Sequence, residues 1–235
     1  MVERDLPKVD VASSSLVIRS MARSTPSEFS GFPVEALDFY DDLEVDNTRS
    51  FWNQHKHVYD ECVRAPMTAL CDALAPEFGE AKVFRPYRDV RFAKDKTPYK
   101  THQGAFVGVA PSTGWYVEVS PRGVRVGGGF YEASGERLAA IRAAMADDRT
   151  GPALKRQLTR LEKAGFEIRG ERLKTAPRGY DADHPRIDLL RHKQLFASKS
   201  YGFEPFIHTA ELQDRVREDW RALRPLVRWL ADRAG

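Results

Sequence analysis

Between Gln103 and Phe130 the apolar residues alternate with small or polar ones over three stretches of strand length. Gln103 to Val109, Gly114 to Ser120 and Val124 to Phe130 read as strands, separated by the turn sequences Pro-Ser-Thr-Gly and Ser-Pro-Arg-Gly. Three strands at hairpin spacing predict an antiparallel meander, which leaves few ways for the rest of the chain to pack. Gly127-Gly128-Gly129 marks a place in the third strand where the backbone bends or another group comes close.

Helical spacing surrounds the meander. Pro33 to Leu43 reads as a first helix, with Pro33 suited to its first turn. Asp46-Asn47-Thr48 is placed to cap a second, Arg49 to Cys62, and Pro66 opens a third that stops at Gly79. Ser134 heads Gly135 to Met145, and Thr150 with Pro152 heads a helix to Ala164. Phe166 to Ile168 is expected as a short strand, Arg186 to His192 as a short helix, and Leu195 to Phe206 as a further strand around Ser200. Leu212, Val216, Trp220, Leu223, Val227 and Leu230 form the stripe of a last helix, about Thr209 to Ala234, in which Pro225 predicts a kink or restart. The expectation is an α+β fold: an antiparallel sheet built around the central meander and packed against N-terminal and C-terminal helices.

Composition sets the boundaries. Of 235 residues, 42% are hydrophobic and 30% charged, the balance of a folded chain. Met1 to about Glu28, rich in Ser, Thr, Pro and charge, is expected to be a disordered tail, with Met21 an alternative start. Residues 29–235 are then expected as a single domain, with no internal repeat. No apolar run approaches a membrane span, and the first residues lack a secretory pattern, so no membrane association and a cytoplasmic location are expected. Cys62 and Cys71 read as small, half-buried apolar groups; a zinc site would need further ligands at close spacing, and no metal is expected.

The net charge of +3 is too even to imply nucleic acid by itself. It conceals a local excess. From Arg85 to Lys100 stand six cations and two aspartates, with Tyr87, Phe92 and Tyr99 among them. If Arg85 to Arg91 is extended, Asp89 falls on one face between Arg85 and Arg91, which favours its ionised form and orients the guanidinium groups. Arginines held so are forks for phosphate or carboxylate. Lys94-Asp95-Lys96 reads as a loop adding two ammonium groups.

The pattern Arg85-x-x-Arg88-Asp89-x-Arg91-Phe92-x-x-Asp95-Lys96-x-Pro98-Tyr99 resembles the signature of a bacterial family known as domain of unknown function 2461. The likeness covers about Phe29 to the C-terminus and includes the Trp52 helix, Gly127-Gly128-Gly129 and Asp183-His184-Pro185. It implies no activity, cofactor or catalytic residue.

The residues leave three functions open. One is an enzyme or binding protein for a small anionic or phosphorylated ligand. Arg85, Arg88, Arg91, Lys94, Lys96, Tyr99 and Lys100 would bind the ligand, and Asp89 or His102 would orient groups or move protons. The second is a structural or protein-interaction domain whose basic stretch is an internal salt-bridge network. The third, less favoured by 34 acidic residues, is a nucleic-acid module stacking bases on Tyr87, Phe92 and Tyr99. His55 and His57, two apart on a helix, share no ligand face. No Walker or dinucleotide-binding glycine motif is present, and cofactor, substrate and oligomeric state are not specified.

Overall fold

The alternating stretches form the middle of a six-stranded sheet in a computed structural model that describes residues 28–233. Apart from Glu28, the expected tail and the alternative start at Met21 lie outside the described residues. The strands are β1 (Lys82–Val83), β2 (Gln103–Ala110), β3 (Thr113–Ser120), β4 (Gly123–Phe130), β5 (Glu167–Arg169) and β6 (Leu195–Gly202). Their order is β1-β2-β3-β4-β6-β5, and every neighbouring pair is antiparallel. The fold is α+β, with the meander β2-β3-β4 at its centre.

The helices follow the expected caps closely. α1 (Val34–Val45) starts after Pro33, and α2 (Arg49–Val58) is capped by Thr48, whose hydroxyl accepts from the Phe51 N–H at 3.2 Å. α2 does not end where the sequence suggested. It passes through a wide turn, Tyr59–Arg64, directly into α3 (Ala65–Phe78). In that turn the Ala65 N–H reaches back five residues to the Asp60 carbonyl. The wider spacing accommodates Pro66, which has no N–H to give and crowds the preceding turn of a regular α-helix.

After the meander come α4 (Gly135–Ala146), α5 (Thr150–Lys163) and the four-residue α6 (Ile187–Leu190). Arg142 of α4 donates to the carbonyls of Leu190 and His192 (3.0 and 3.3 Å), tying this segment to the entry of β6. The last helix, α7 (Glu211–Ala231), runs without interruption through Pro225. Pro225 is exposed, so the carbonyl it leaves unbonded four residues earlier, on exposed Arg221, is open to water.

The α7 stripe of Leu212, Val216, Trp220, Leu223, Val227 and Leu230 is fully buried. It lies against β3 and β4, whose Val117, Val119, Val124 and Val126 are also fully buried. Two indoles lock the layers. Trp115 Nε1 donates to the Trp220 carbonyl (3.0 Å), and Trp220 Nε1 donates to the Tyr116 carbonyl (3.2 Å). Phe78 at the end of α3 meets both rings edge-on, with centroids 5.2 Å away. A Cβ on Gly128 would stand 3.1 Å from Val227 Cγ2, so the absence of a side chain there lets α7 come close.

Trp220→Phe removes one of these bonds and leaves a void in a buried layer. It should lower stability by about 2–4 kcal/mol, read from the urea midpoint at constant slope. A change below about 1 kcal/mol would show that α7 is held by other contacts.

Candidate functional site

With Val126 and Gly128 turned to α7, alternation sends Arg125, Gly127 and Gly129 to the other face of the sheet. The strand registers line up three rows there: Gly104–Glu118–Arg125–Ser200, Phe106–Tyr116–Gly127–Ser198 and Gly108–Gly114–Gly129–Phe196. Five of these twelve positions are glycine, so the middle of the face is a hollow. The resulting cavity of about 420 Å³ has Phe84, Phe106, Tyr131 and Phe196 around it, and no helix among the described residues contributes to its lining. Gly104 has a specific role: a Cβ there would meet Tyr116 Oη at 2.5 Å, so the Tyr116 ring is free to fold over it.

One polar chain crosses this apolar surface. Tyr116 Oη donates to Glu118 Oε2 at 2.6 Å, and Glu118 Oε1 pairs with Arg125 Nη2 at 2.9 Å. Glu118 is only 8% exposed. A carboxylate so placed is tolerated because both oxygens have partners. Burial, then the Glu118 charge, pushes the Tyr116 phenol well above its ordinary value, so Tyr116 stays a hydrogen-bond donor. His102, just before β2, borders the same cavity. Burial lowers its pKa from the usual 6.5; Lys100 and Arg125 add to the effect, and Glu118 opposes it. The imidazole is therefore favoured in its neutral form, ready to accept a proton.

The basic stretch rises from the edge of this cavity as a separate loop. Its base is a narrow ladder: Tyr87 faces Tyr99, Arg88 N–H donates to the Pro98 carbonyl (2.9 Å) and Lys100 N–H to the Pro86 carbonyl (2.8 Å). The corner between α1 and α2 holds it. Asn47 makes two hydrogen bonds to the Tyr99 backbone (3.0 and 3.1 Å), and Trp52 stacks on the Tyr99 ring at 4.2 Å, nearly parallel.

Within the loop, Arg91 grips Asp89 in a two-pronged pair (2.9 and 2.6 Å), and Arg88 bonds Asp95 and Thr97. Both aspartates are held below the carboxylate range by these partners: Asp89 chiefly by Arg91, Asp95 at about 2 chiefly by Arg88. Lys96 Nζ donates to the Val90 carbonyl (2.9 Å) and Lys100 Nζ to the Arg85 carbonyl (3.0 Å).

The chain matches the family described as conserved hypothetical protein (DUF2461) over residues 35–229. It belongs to that family. No curated protein matches the sequence. Among the described residues of this DUF2461 chain, no three His, Cys, Asp or Glu side chains are grouped to hold a metal ion, and no helix is long and apolar enough to cross a membrane.

The residues picked out by sequence do not converge on one point. His102 lines the cavity, and Lys100 lies beside it with its ammonium 5.4 Å over the Phe84 ring. Arg88, Asp89, Arg91, Lys94 and Lys96 belong to the loop, where Arg88 is half-buried and the other four exposed. Arg85 is exposed at its base. Asp89 does not sit bonded between Arg85 and Arg91 as an extended chain would have it. Arg91 supplies the hydrogen bonds and Arg85 only a weaker field. Tyr99 is 5% exposed and stacked on Trp52, so its ring is closed to a ligand.

Sequence reasoning passed over Phe106, Tyr116, Glu118, Arg125 and Ser198. The signal was there: Glu118 stands between Val117 and Val119 in an apolar strand, on the face opposite the core.

Two measurements check this geometry. In a histidine NMR titration His102 should titrate below 6.5, and lower still in Glu118→Gln, because that change removes the charge that opposes the shift. Since the unfolded chain takes up this proton more readily than the folded one, His102 contributes stability that declines as pH falls through about 6.5. In the loop, Arg91→Ala breaks an exposed pair and should leave the thermal midpoint within about 2 °C. Arg88→Ala strands Asp95 and Thr97 and should lower it by about 3–6 °C.

Proposed function

We propose that the protein binds a small organic ligand on the open face of its sheet. A planar apolar body sits among Phe84, Phe106, Tyr131 and Phe196, and its polar edge meets Tyr116, Glu118, Arg125 and His102. The observation that carries this reading is the nearly buried Glu118, fixed by Tyr116 and Arg125 in a cavity of about 420 Å³ whose lining is mostly apolar. A volume of that size, with a few convergent polar groups, suits a drug-sized molecule. An aliphatic side chain in place of the carboxylate would make a more ordinary sheet face. The neutral His102 can accept a proton from a bound ligand and the Tyr116 phenol can donate a hydrogen bond, so the same groups are equipped for acid–base chemistry.

The alternative, an anion bound on Arg85, Arg88 and Arg91 themselves, has fewer donors to offer. Arg88 and Arg91 are each engaged by an aspartate of the same loop. That self-pairing favours a structural role for the basic stretch, as the wall from which Phe84 and His102 reach the cavity, with Lys100 beside them. A nucleic-acid role is weakened by the burial of Tyr99.

The test is a thermal-shift panel of planar aromatic compounds on the wild type and on Ser198→Phe, which fills the cavity from β6. A ligand at a hundred times its Kd should raise the wild-type midpoint by about 5–10 °C and leave Ser198→Phe unmoved. A flat wild-type panel, or equal shifts in both proteins, would sink the proposal.

A further inference from the structure

We infer that the ligand of this cavity carries an anionic group, a carboxylate or a phosphate, which lies on Arg122 and Arg125 in an adjoining polar hollow. The inference rests on the binding reading above and specifies its ligand. The hollow, about 340 Å³, shares His102, Glu118 and Arg125 with the cavity, so the two adjoin at these side chains. Its character is different. Among the described residues no Phe, Tyr or Trp lines it; it has instead Arg122, Arg125 and Arg169, with the hydroxyl residues Thr101 and Ser200.

Two of these guanidinium groups have donors to spare. Arg125 gives a single nitrogen, Nη2, to Glu118, whose other oxygen is taken by Tyr116. The remaining edge of the Arg125 fork is left for a ligand. Arg122 stands in the β3–β4 turn, where its backbone N–H bonds Ser120 Oγ at 3.3 Å, and its side chain forms no ion pair among the described residues. Arg169 differs: its Nε bonds Glu167 on the same strand at 2.8 Å, so it lends a wall more than a free charge. Two carboxylates border the hollow: Glu118, whose charge Arg125 already pairs, and Glu44, which is exposed, where water screens it.

Two oxygens of a carboxylate or of a phosphate match the arginine fork with two parallel hydrogen bonds, which an alcohol cannot do. A ligand with an aromatic body and one oxyanion therefore uses both compartments, with Arg125 at the junction. Carboxylate and phosphate share this chemistry and are separated by measurement.

The test compares 2-naphthol, 2-naphthoate and 2-naphthyl phosphate by calorimetry on the wild type and on Arg122→Gln. In the wild type at least one of the two anions should bind about 10- to 100-fold tighter than 2-naphthol. The tighter of the two names the group. In Arg122→Gln that advantage should fall below about 3-fold while 2-naphthol binds as before, and inorganic phosphate should compete with the anions more than with 2-naphthol. Arg122 is exposed, so an unchanged thermal midpoint of the free variant confirms that it folds.

If 2-naphthol binds and neither anion binds tighter, the anionic subsite is refuted and the cavity reading stands. The same holds if the advantage survives in Arg122→Gln, or if that variant loses 2-naphthol as well. If none of the three binds, the cavity reading falls and takes this inference with it.

Discussion

How closely α7 lies on β3 and β4 decides much of the rest. The contact is apolar in bulk, but the Trp115 and Trp220 indoles give it a fixed distance, because each N–H has a carbonyl across the interface as its partner. If α7 lifted away, two buried donors would lose those partners, at about 1–3 kcal/mol each. If it moved inward, Val227 would run into the backbone at Gly128. The helix is thus confined from both sides. Since the Trp220 indole ends on the Tyr116 carbonyl, the strand that carries Tyr116 and Glu118 on its opposite face is held in place from behind. The stiffness of the candidate site derives from the core.

The glycines on that opposite face have two kinds of cause. A Cβ at Gly114 would strike the Val107 carbonyl at 1.9 Å, and Gly129 has a φ of +145° with the Leu195 carbonyl 2.3 Å from any added Cβ. Backbone geometry alone accounts for these two. Gly104 makes way for the Tyr116 ring, and that is a different matter, since the ring it admits is the one that bonds Glu118. Glycine inside a strand costs about 0.5–1 kcal/mol relative to alanine, and a buried carboxylate costs more unless fully partnered. Structural need explains part of the glycine content but not the Glu118 chain, and the functional reading rests on Glu118.

Much of the fold was legible because it depends on periodicity. The switch from helical spacing to alternation gave the meander, and the six-residue stripe gave α7 and its buried face. Where the reading failed, a local rule was overridden. Pro66 does stand in the first turn of α3, but no break precedes it, because a wide turn carries α2 straight into α3. Pro225 predicts a kink or a restart of α7; the helix does not restart there, and Pro225 lies on its solvent side. The cavity was less legible. Its rows join residues from four strands, and only the registers, set by turn lengths and two irregularities near Val109 and Tyr201, decide that Phe106, Tyr116, Gly127 and Ser198 fall side by side.

The basic stretch drew notice for its density of charge, and density in sequence favours a particular kind of interaction. Asp89 and Arg91 are two residues apart, Asp95 and Arg88 seven, so the loop can neutralise itself with little help from the fold. Pairs of this kind are exposed and shift their partners' pKa values without demanding a cavity. Glu118 and Arg125 come from different strands and meet only when the sheet forms. A single acidic residue between two valines makes a faint signal in a sequence, yet to be stable there it needs a tyrosine, an arginine and a precisely spaced pair of strands. What ties the two regions together is the hairpin base: Asn47 and Trp52 clamp Tyr99, and the same ladder delivers Phe84, Lys100 and His102 to the cavity edge. On this reading the charged loop organises a wall of the site, and the chemistry belongs to the few polar side chains that the wall encloses.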